Sequence, residues 1–303
     1  MSENKTIHKP VLLNEVIEGL FLQKDDIVLD GTVGGGGYLT EICSKLNGKG
    51  TVIGLDQDKL ALARVEKNLL PKIKCNLHLV NKNFRNLDLA LNNLGIKKVD
   101  KIVFDLGISS DQLDNSGRGF SFQKDEPLIM SLKKDLSESD LNASEIVNTW
   151  EEENLADVIF GYGDEKFSRK IAKEICKSRK EKKIETTFEL VEIIKRAVPK
   201  WYLFKKTHFA TKTFQALRIT VNDEIGSLKE GLVKGFDRLG VGGRFAVVSF
   251  HSLEEKVVKS FFKELKKEGT CILINKKPII PSSEEIKENP RSRSGKLRVI
   301  EKI

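Results

Sequence analysis

The rhythm of apolar and polar positions changes twice along the chain. Over the first hundred residues four short apolar runs recur: Ile27-Val28-Leu29-Asp30, Thr51-Val52-Ile53-Gly54-Leu55, Asn76-Leu77-His78-Leu79-Val80 and Lys101-Ile102-Val103-Phe104-Asp105. Between them lie helix-length segments with helical spacing, such as Leu60-Ala61-Leu62-Ala63-Arg64-Val65. Strands separated in this way predict βαβ units and a parallel sheet, because parallel neighbours need a crossover. From about 113 to 211 no strand is predicted. Apolar residues there fall at helical intervals, as at Phe167, Ile171 and Ile175, and at Leu190, Val191, Ile193 and Ile194. A longer helix starting at Thr213 carries Phe214, Leu217, Val221 and Leu228. Gly240-Val241-Gly242-Gly243 predicts a turn, and strands resume over 244–249, 271–275 and 297–300, with a helix over 254–267. The polar stretch 282–295 predicts an exposed loop.

These elements predict a mostly parallel, doubly wound α/β domain built from residues 1–112 and 212–303, interrupted by an all-helical insertion over 113–211. No internal repeat is present. A length of 303 residues with 39% hydrophobic and 32% charged content fits a globular chain and excludes collagen-like or disordered classes. No apolar run is long enough for a membrane span, and the first residues lack the apolar core of a signal peptide, so a cytoplasmic protein is expected. The four cysteines, 43, 75, 176 and 271, form no C-x-x-C pair, which predicts reduced thiols and no metal site.

Charge adds a feature that periodicity does not show. The net charge is +8. Residues 135–162 hold eight acidic side chains and no Lys or Arg, whereas 163–212 hold fifteen basic against seven acidic ones. Either the two blocks pair with each other or the basic block meets phosphate.

The clearest chemical signal is Asp30-Gly31-Thr32-Val33-Gly34-Gly35-Gly36-Gly37-Tyr38, placed between the first strand and a helix. Glycines there permit a tight turn and close ligand approach. Their spacing fits neither G-x-G-x-x-G nor G-x-x-x-x-G-K-[ST], which argues against a pyrophosphate and for a nucleoside cofactor without phosphates, S-adenosylmethionine above all. Asp56, ending the second strand, is placed to accept ribose hydroxyls or to cap the next helix. Phe84, just past the third strand, is placed to cover an adenine or to fill the core.

Further strings carry a family resemblance. Phe104-Asp105-Leu106-Gly107-Ile108-Ser109-Ser110-Asp111-Gln112-Leu113-Asp114 is followed by Arg118-Gly119-Phe120-Ser121-Phe122. His208-Phe209-Ala210-Thr211-Lys212-Thr213-Phe214-Gln215-Ala216-Leu217-Arg218-Ile219, Ser249-Phe250-His251-Ser252-Leu253-Glu254 and Asn289-Pro290-Arg291-Ser292-Arg293-Ser294 come later. With residues 8–13 and the glycine turn, this ordered set resembles the ribosomal RNA small subunit methyltransferase H family. The resemblance implies a class I methyltransferase fold and S-adenosylmethionine as methyl donor. It also implies N4-methylation of a decoding-centre cytidine in 16S rRNA of the small ribosomal subunit. It carries cofactor contacts onto Gly36, Gly37, Tyr38, Asp56, Phe84, Asp105 and Gln112. Tyr38 stands where the family usually has His, Ile129 and Ser131 where it has Asp and Arg, and Phe209 and Lys212 where it has Pro and Arg.

Cytosine N4 is a poor nucleophile, because its lone pair is delocalised into the ring. An enzyme helps by holding it in line and offering acceptors for its protons. Asp105 is placed to anchor the cofactor's amino-acid end or the target amine. His251 is placed to take a proton, to bind phosphate or to serve structure alone. Trp201, Tyr202, Arg291, Arg293 and the basic block are the RNA-facing candidates, with core packing the alternative for the two aromatics. A nicotinamide reductase is disfavoured by the failed fingerprint. A non-catalytic RNA-binding assembly factor on the same fold is the second reading.

Overall fold

The computed structural model describes residues 10–137 and 140–303; His8 of the N-terminal string and Glu138 of the acidic run lie outside the described residues. The chain divides into two compact units, Met1–Ile108 with Ile225–Ile303, and Ser109–Glu224.

The first unit is built on one seven-stranded sheet. Its strands are β1 (Ile27–Asp30), β2 (Thr51–Asp56), β3 (Asn76–Asn81), β4 (Val99–Asp105), β5 (Leu239–Ser249), β6 (Cys271–Leu273) and β7 (Lys296–Lys302). Their order is β3-β2-β1-β4-β5-β7-β6. The first five are parallel, and β7 runs antiparallel to both its neighbours. The continuous Val/Ile/Leu runs are explained by burial on both faces. Consecutive side chains alternate: Leu29, Ile53, Ile102, Phe104 and Phe245 enter one apolar layer, while Val28, Val52, Val103 and Ala246 enter the other. Strand order reverses between β1 and β4, which opens a crevice at their carboxyl ends.

Three details differ from expectation. Gly240-Val241-Gly242-Gly243 lies inside β5 rather than in a turn before it. The pairing with β4 jumps from Val99/Leu239 to Lys101/Arg244, and the glycines absorb this bulge, Gly242 with φ +76°. The polar stretch 282–295 contains a helix, Ser283–Glu288, and a 3-10 turn, Pro290–Ser294. Ser282 caps that helix, and the Glu285 carboxylate accepts the Leu12 N–H at 2.8 Å, 273 residues away. Cys43 and Cys75 form a disulfide across a Cα separation of 5.3 Å, correcting the expectation of four free thiols; only Cys176 and Cys271 are free.

The second unit is helical. Its main helices are Ala143–Thr149, Glu152–Gly163, Ser168–Ser178, Thr187–Ala197 and Thr211–Val221. Among its described residues there is no strand, only the isolated bridge between Pro127 and Thr186. The unit begins at Ser109 and ends at Glu224, not at 113 and 211, because Thr211–Val221 packs on Glu152–Gly163. Gly163 permits that approach, since a Cβ there would lie 2.4 Å from the Lys212 carbonyl. Among the described residues no helix is long and apolar enough to cross a membrane.

Candidate active site

The glycine turn is held from both sides by the sheet. Gly31 donates to the Val103 carbonyl on β4 at 2.9 Å, and Val33 donates to the Leu55 carbonyl on β2 at 3.0 Å. The Thr32 hydroxyl accepts the Asp105 N–H at 2.6 Å. Gly34 and Gly36 adopt φ +50° and +78°, a region costly for residues with a Cβ. Gly31 is required for another reason: a Cβ there would sit 2.4 Å from the Phe104 ring.

Carboxyls gather where these strands end. Asp30 is fully buried, with Oδ1 accepting the Thr32 N–H at 3.0 Å and Oδ2 without a hydrogen-bond partner among the described residues. Burial, with the Asp56 carboxylate adding to it, pushes its pKa up to about 7. Asp105 closes β4 with a sealed Oδ1 that has no partner among the described residues; burial raises its pKa well above the usual carboxylate range, and Asp30 and Glu254 reinforce this. Asp56 is also raised by burial, although the Asp58 and Gly34 N–H groups oppose the shift. It accepts both at 2.8 Å, one on each oxygen. A carboxylate has about four acceptor positions, so roughly two remain on Asp56. Among the described residues, the charged groups that act on Asp30 and Asp105 are all acidic. Such a nest disfavours phosphate and favours a ligand with positive charge and hydrogen-bond donors.

The other predicted residues have more structural tasks. Tyr38 is buried, and its hydroxyl donates to the Val11 carbonyl. Gly37 lies directly under Pro10, whose Cγ would be 2.1 Å from a Cβ there. The Phe84 ring stacks obliquely on Phe104 with centroids 4.8 Å apart, and Gly231 lacks the Cβ that would strike it. His251 caps the helix Ser252–Lys267: its Nδ1 accepts the Glu254 N–H at 3.4 Å, and its Nε2 lies 3.1 Å from Glu254 Oε1. Glu254 is buried and accepts the Phe250 N–H at 2.8 Å in return. Gln112 belongs to the helical unit, where it completes a capping box with Ser109. Asp30, Thr32 and Glu254 were not singled out from the sequence. An acid directly before a glycine turn is the signal that could have found Asp30.

In the helical unit, Ile129 and Ser131 both offer backbone carbonyls, and the Ser131 hydroxyl also accepts the Lys133 N–H at 3.2 Å. The Ile129 carbonyl accepts from Ala143 at 3.0 Å, and the Ser131 carbonyl accepts from Arg118 at 3.1 Å. Lys212 pairs with Asp164 at 3.5 Å, and Phe209 is buried. Tyr202 is buried with its hydroxyl donating to Glu165 at 2.5 Å, whereas Trp201 is half exposed. In the first unit, Arg291 and Arg293 are exposed on either side of buried Ser292.

Known proteins resemble this chain along its whole length. The ribosomal RNA small subunit methyltransferase H of Clostridium botulinum (strain Kyoto) is 46% identical, over 98% of this chain and 99% of that protein. Proteins with the same name from Ruminiclostridium cellulolyticum and Clostridioides difficile are each 42% identical with the same coverage. Residues 5–303 match the MraW methylase family, and the chain belongs to that family.

Proposed function

We propose that this protein is a cytoplasmic, S-adenosylmethionine-dependent methyltransferase that modifies a cytidine at N4 in 16S rRNA of the small ribosomal subunit. The observation that carries the reading is the nest of carboxyls at the switch point: among the described residues, oxygens of Asp30 and Asp105 lack a partner and no cation is among the groups acting on them. S-adenosylmethionine fits that chemistry, with a sulfonium, an ammonium and ribose hydroxyls but no phosphate. When bound, it supplies a methyl carbon that the N4 lone pair can take as the carbon–sulfur electrons return to sulfur.

The residues have separable tasks. The turn at 31–37 offers close backbone approach, and the remaining lone pairs of Asp56 suit the ribose hydroxyls. Asp105 Oδ1 accepts an N–H from a cationic or amine group, and a cation beside it restores its ionised form. Thr32 fixes the Asp105 backbone. His251 and Glu254 cap one another, so His251 positions the loop after β5 rather than receiving a proton. A base in folded RNA must be turned out of its stack to reach such a pocket.

The test is mass spectrometry of 16S rRNA fragments from cells with and without this protein. One cytidine should lose a methyl group from its base in the deletion strain and regain it on complementation. An identical modification pattern in both strains contradicts the reading.

A further inference from the structure

We infer that the helical unit carries a stacking platform for an unpaired RNA nucleotide, formed by Trp201 and Phe204 with Lys166, Lys170 and Lys205 around them. The inference uses the proposed function only to identify the polymer as RNA.

The platform has a rigid base. Buried Tyr202 is fixed by its hydrogen bond to buried Glu165, whose other oxygen accepts the Phe167 N–H at 2.9 Å. Phe167 meets Tyr202 edge-to-face at 5.0 Å and Trp201 at 6.0 Å. Trp201, resting on this base, is 52% exposed; Phe204, at the end of the same short helix Lys200–Leu203, is 86% exposed, the largest exposure among the exposed large hydrophobics of the described residues. Aromatic side chains left in water beside a locked base are poorly explained by folding alone.

The charges around the rings indicate the occupant. Lys166 Nζ lies 4.5 Å from the Trp201 ring centroid, Lys205 Nζ lies 5.3 Å from it, and Lys170 Nζ lies 5.9 Å from that of Phe167. None of these three lysines has a carboxylate partner among the described residues. Elsewhere in the basic block some charges are matched, Lys182 with Glu189, Lys183 with Glu185 and Arg196 with Glu174, while others, such as Lys173 and Lys177, form no ion pair among the described residues. The three lysines thus bring unmatched positive charge directly to the aromatic rings. A nucleotide presents a flat π-face next to an anion, which satisfies ring and ammonium together. A duplex hides its base faces, and an acidic peptide would use the ammonium groups alone.

The experiment uses the full chain with Trp150→Phe, leaving Trp201 as the sole tryptophan reporter. Its fluorescence is followed on titration with a mixed-sequence single-stranded RNA oligonucleotide, the same sequence as a duplex, and polyglutamate. Saturable, salt-sensitive quenching by the single strand alone is expected. Trp201→Ala, followed by anisotropy of labelled RNA, should weaken binding about 5- to 100-fold. Lys166→Glu with Lys205→Glu should weaken it and flatten its salt dependence. Phe204→Ser is a second, fully exposed variant, expected to weaken binding without altering the thermal melt. Equal quenching by duplex or polyglutamate, or unchanged affinity in both aromatic variants, overturns the platform. Calorimetric binding of S-adenosylmethionine separates the two readings. Donor binding with unaffected RNA affinity sinks the platform only, and RNA quenching without donor binding sinks the methyltransferase reading only.

Discussion

The Asp105 N–H donates to the Thr32 hydroxyl at 2.6 Å, tying the end of β4 to the turn after β1. This bond crosses the point where strand order reverses, and it orients a carboxyl whose Oδ1 is sealed without a partner among the described residues. Thr32→Val keeps the shape and removes the acceptor. The expected cost is about 1 kcal/mol, since the amide is only part-buried, lowering Tm by about 2–4 °C. Donor binding should weaken with it. An unchanged melt with unchanged calorimetric affinity would remove Thr32 from the site.

Asp30 makes stability depend on pH. Its ordinary pKa is 3.8 and its folded value is about 7, so between these values the folded state retains a proton that the unfolded chain has lost. Stability therefore falls as pH rises through that window and changes no further from this source above it. Asp30→Asn keeps the Thr32 N–H acceptor but cannot ionise. Without donor, its Tm relative to wild type should climb from about pH 4 to pH 7 and then level off. A pH-independent difference would place Asp30 outside the effect.

Glycine positions separate close packing from open space. Gly31→Ala drives a methyl into the buried Phe104 ring and should cost about 1–3 kcal/mol. Gly161→Ala, in the helix Glu152–Gly163 with nothing within 4 Å of the new carbon, should be neutral or stabilise by up to about 1 kcal/mol. Chemical denaturation of both variants measures the contrast, and equal costs would contradict the packing described around the turn.

Much of this arrangement was legible because the features were local. Ile27-Val28-Leu29-Asp30 forms β1 as its apolar run predicts, and Asp56 and Asp105 end β2 and β4 as expected. Legibility failed where distant segments decide. The 240–243 glycines read as a turn because nothing local reveals that β4 draws them into a bulged strand. The 282–295 segment read as a loop because its helix buries no residue and its Glu285 bonds to Leu12 across the chain.

The cysteines provide a separate check. Alkylation of denatured, unreduced protein should label two thiols, Cys176 and Cys271, and all four after reduction. Losing the bridge should cost about 4 kcal/mol by the chain-entropy argument for a loop of 32 residues. Four labelled thiols without reductant would restore the sequence-based expectation.

The most direct measurement is calorimetric titration of S-adenosylmethionine into the full chain and into Asp105→Asn. Saturable binding by wild type is predicted, weakened at least about tenfold in the variant, as loss of a charge-assisted contact requires. Absence of binding to wild type, or equal affinity in the two proteins, would contradict a donor site built on these carboxyls.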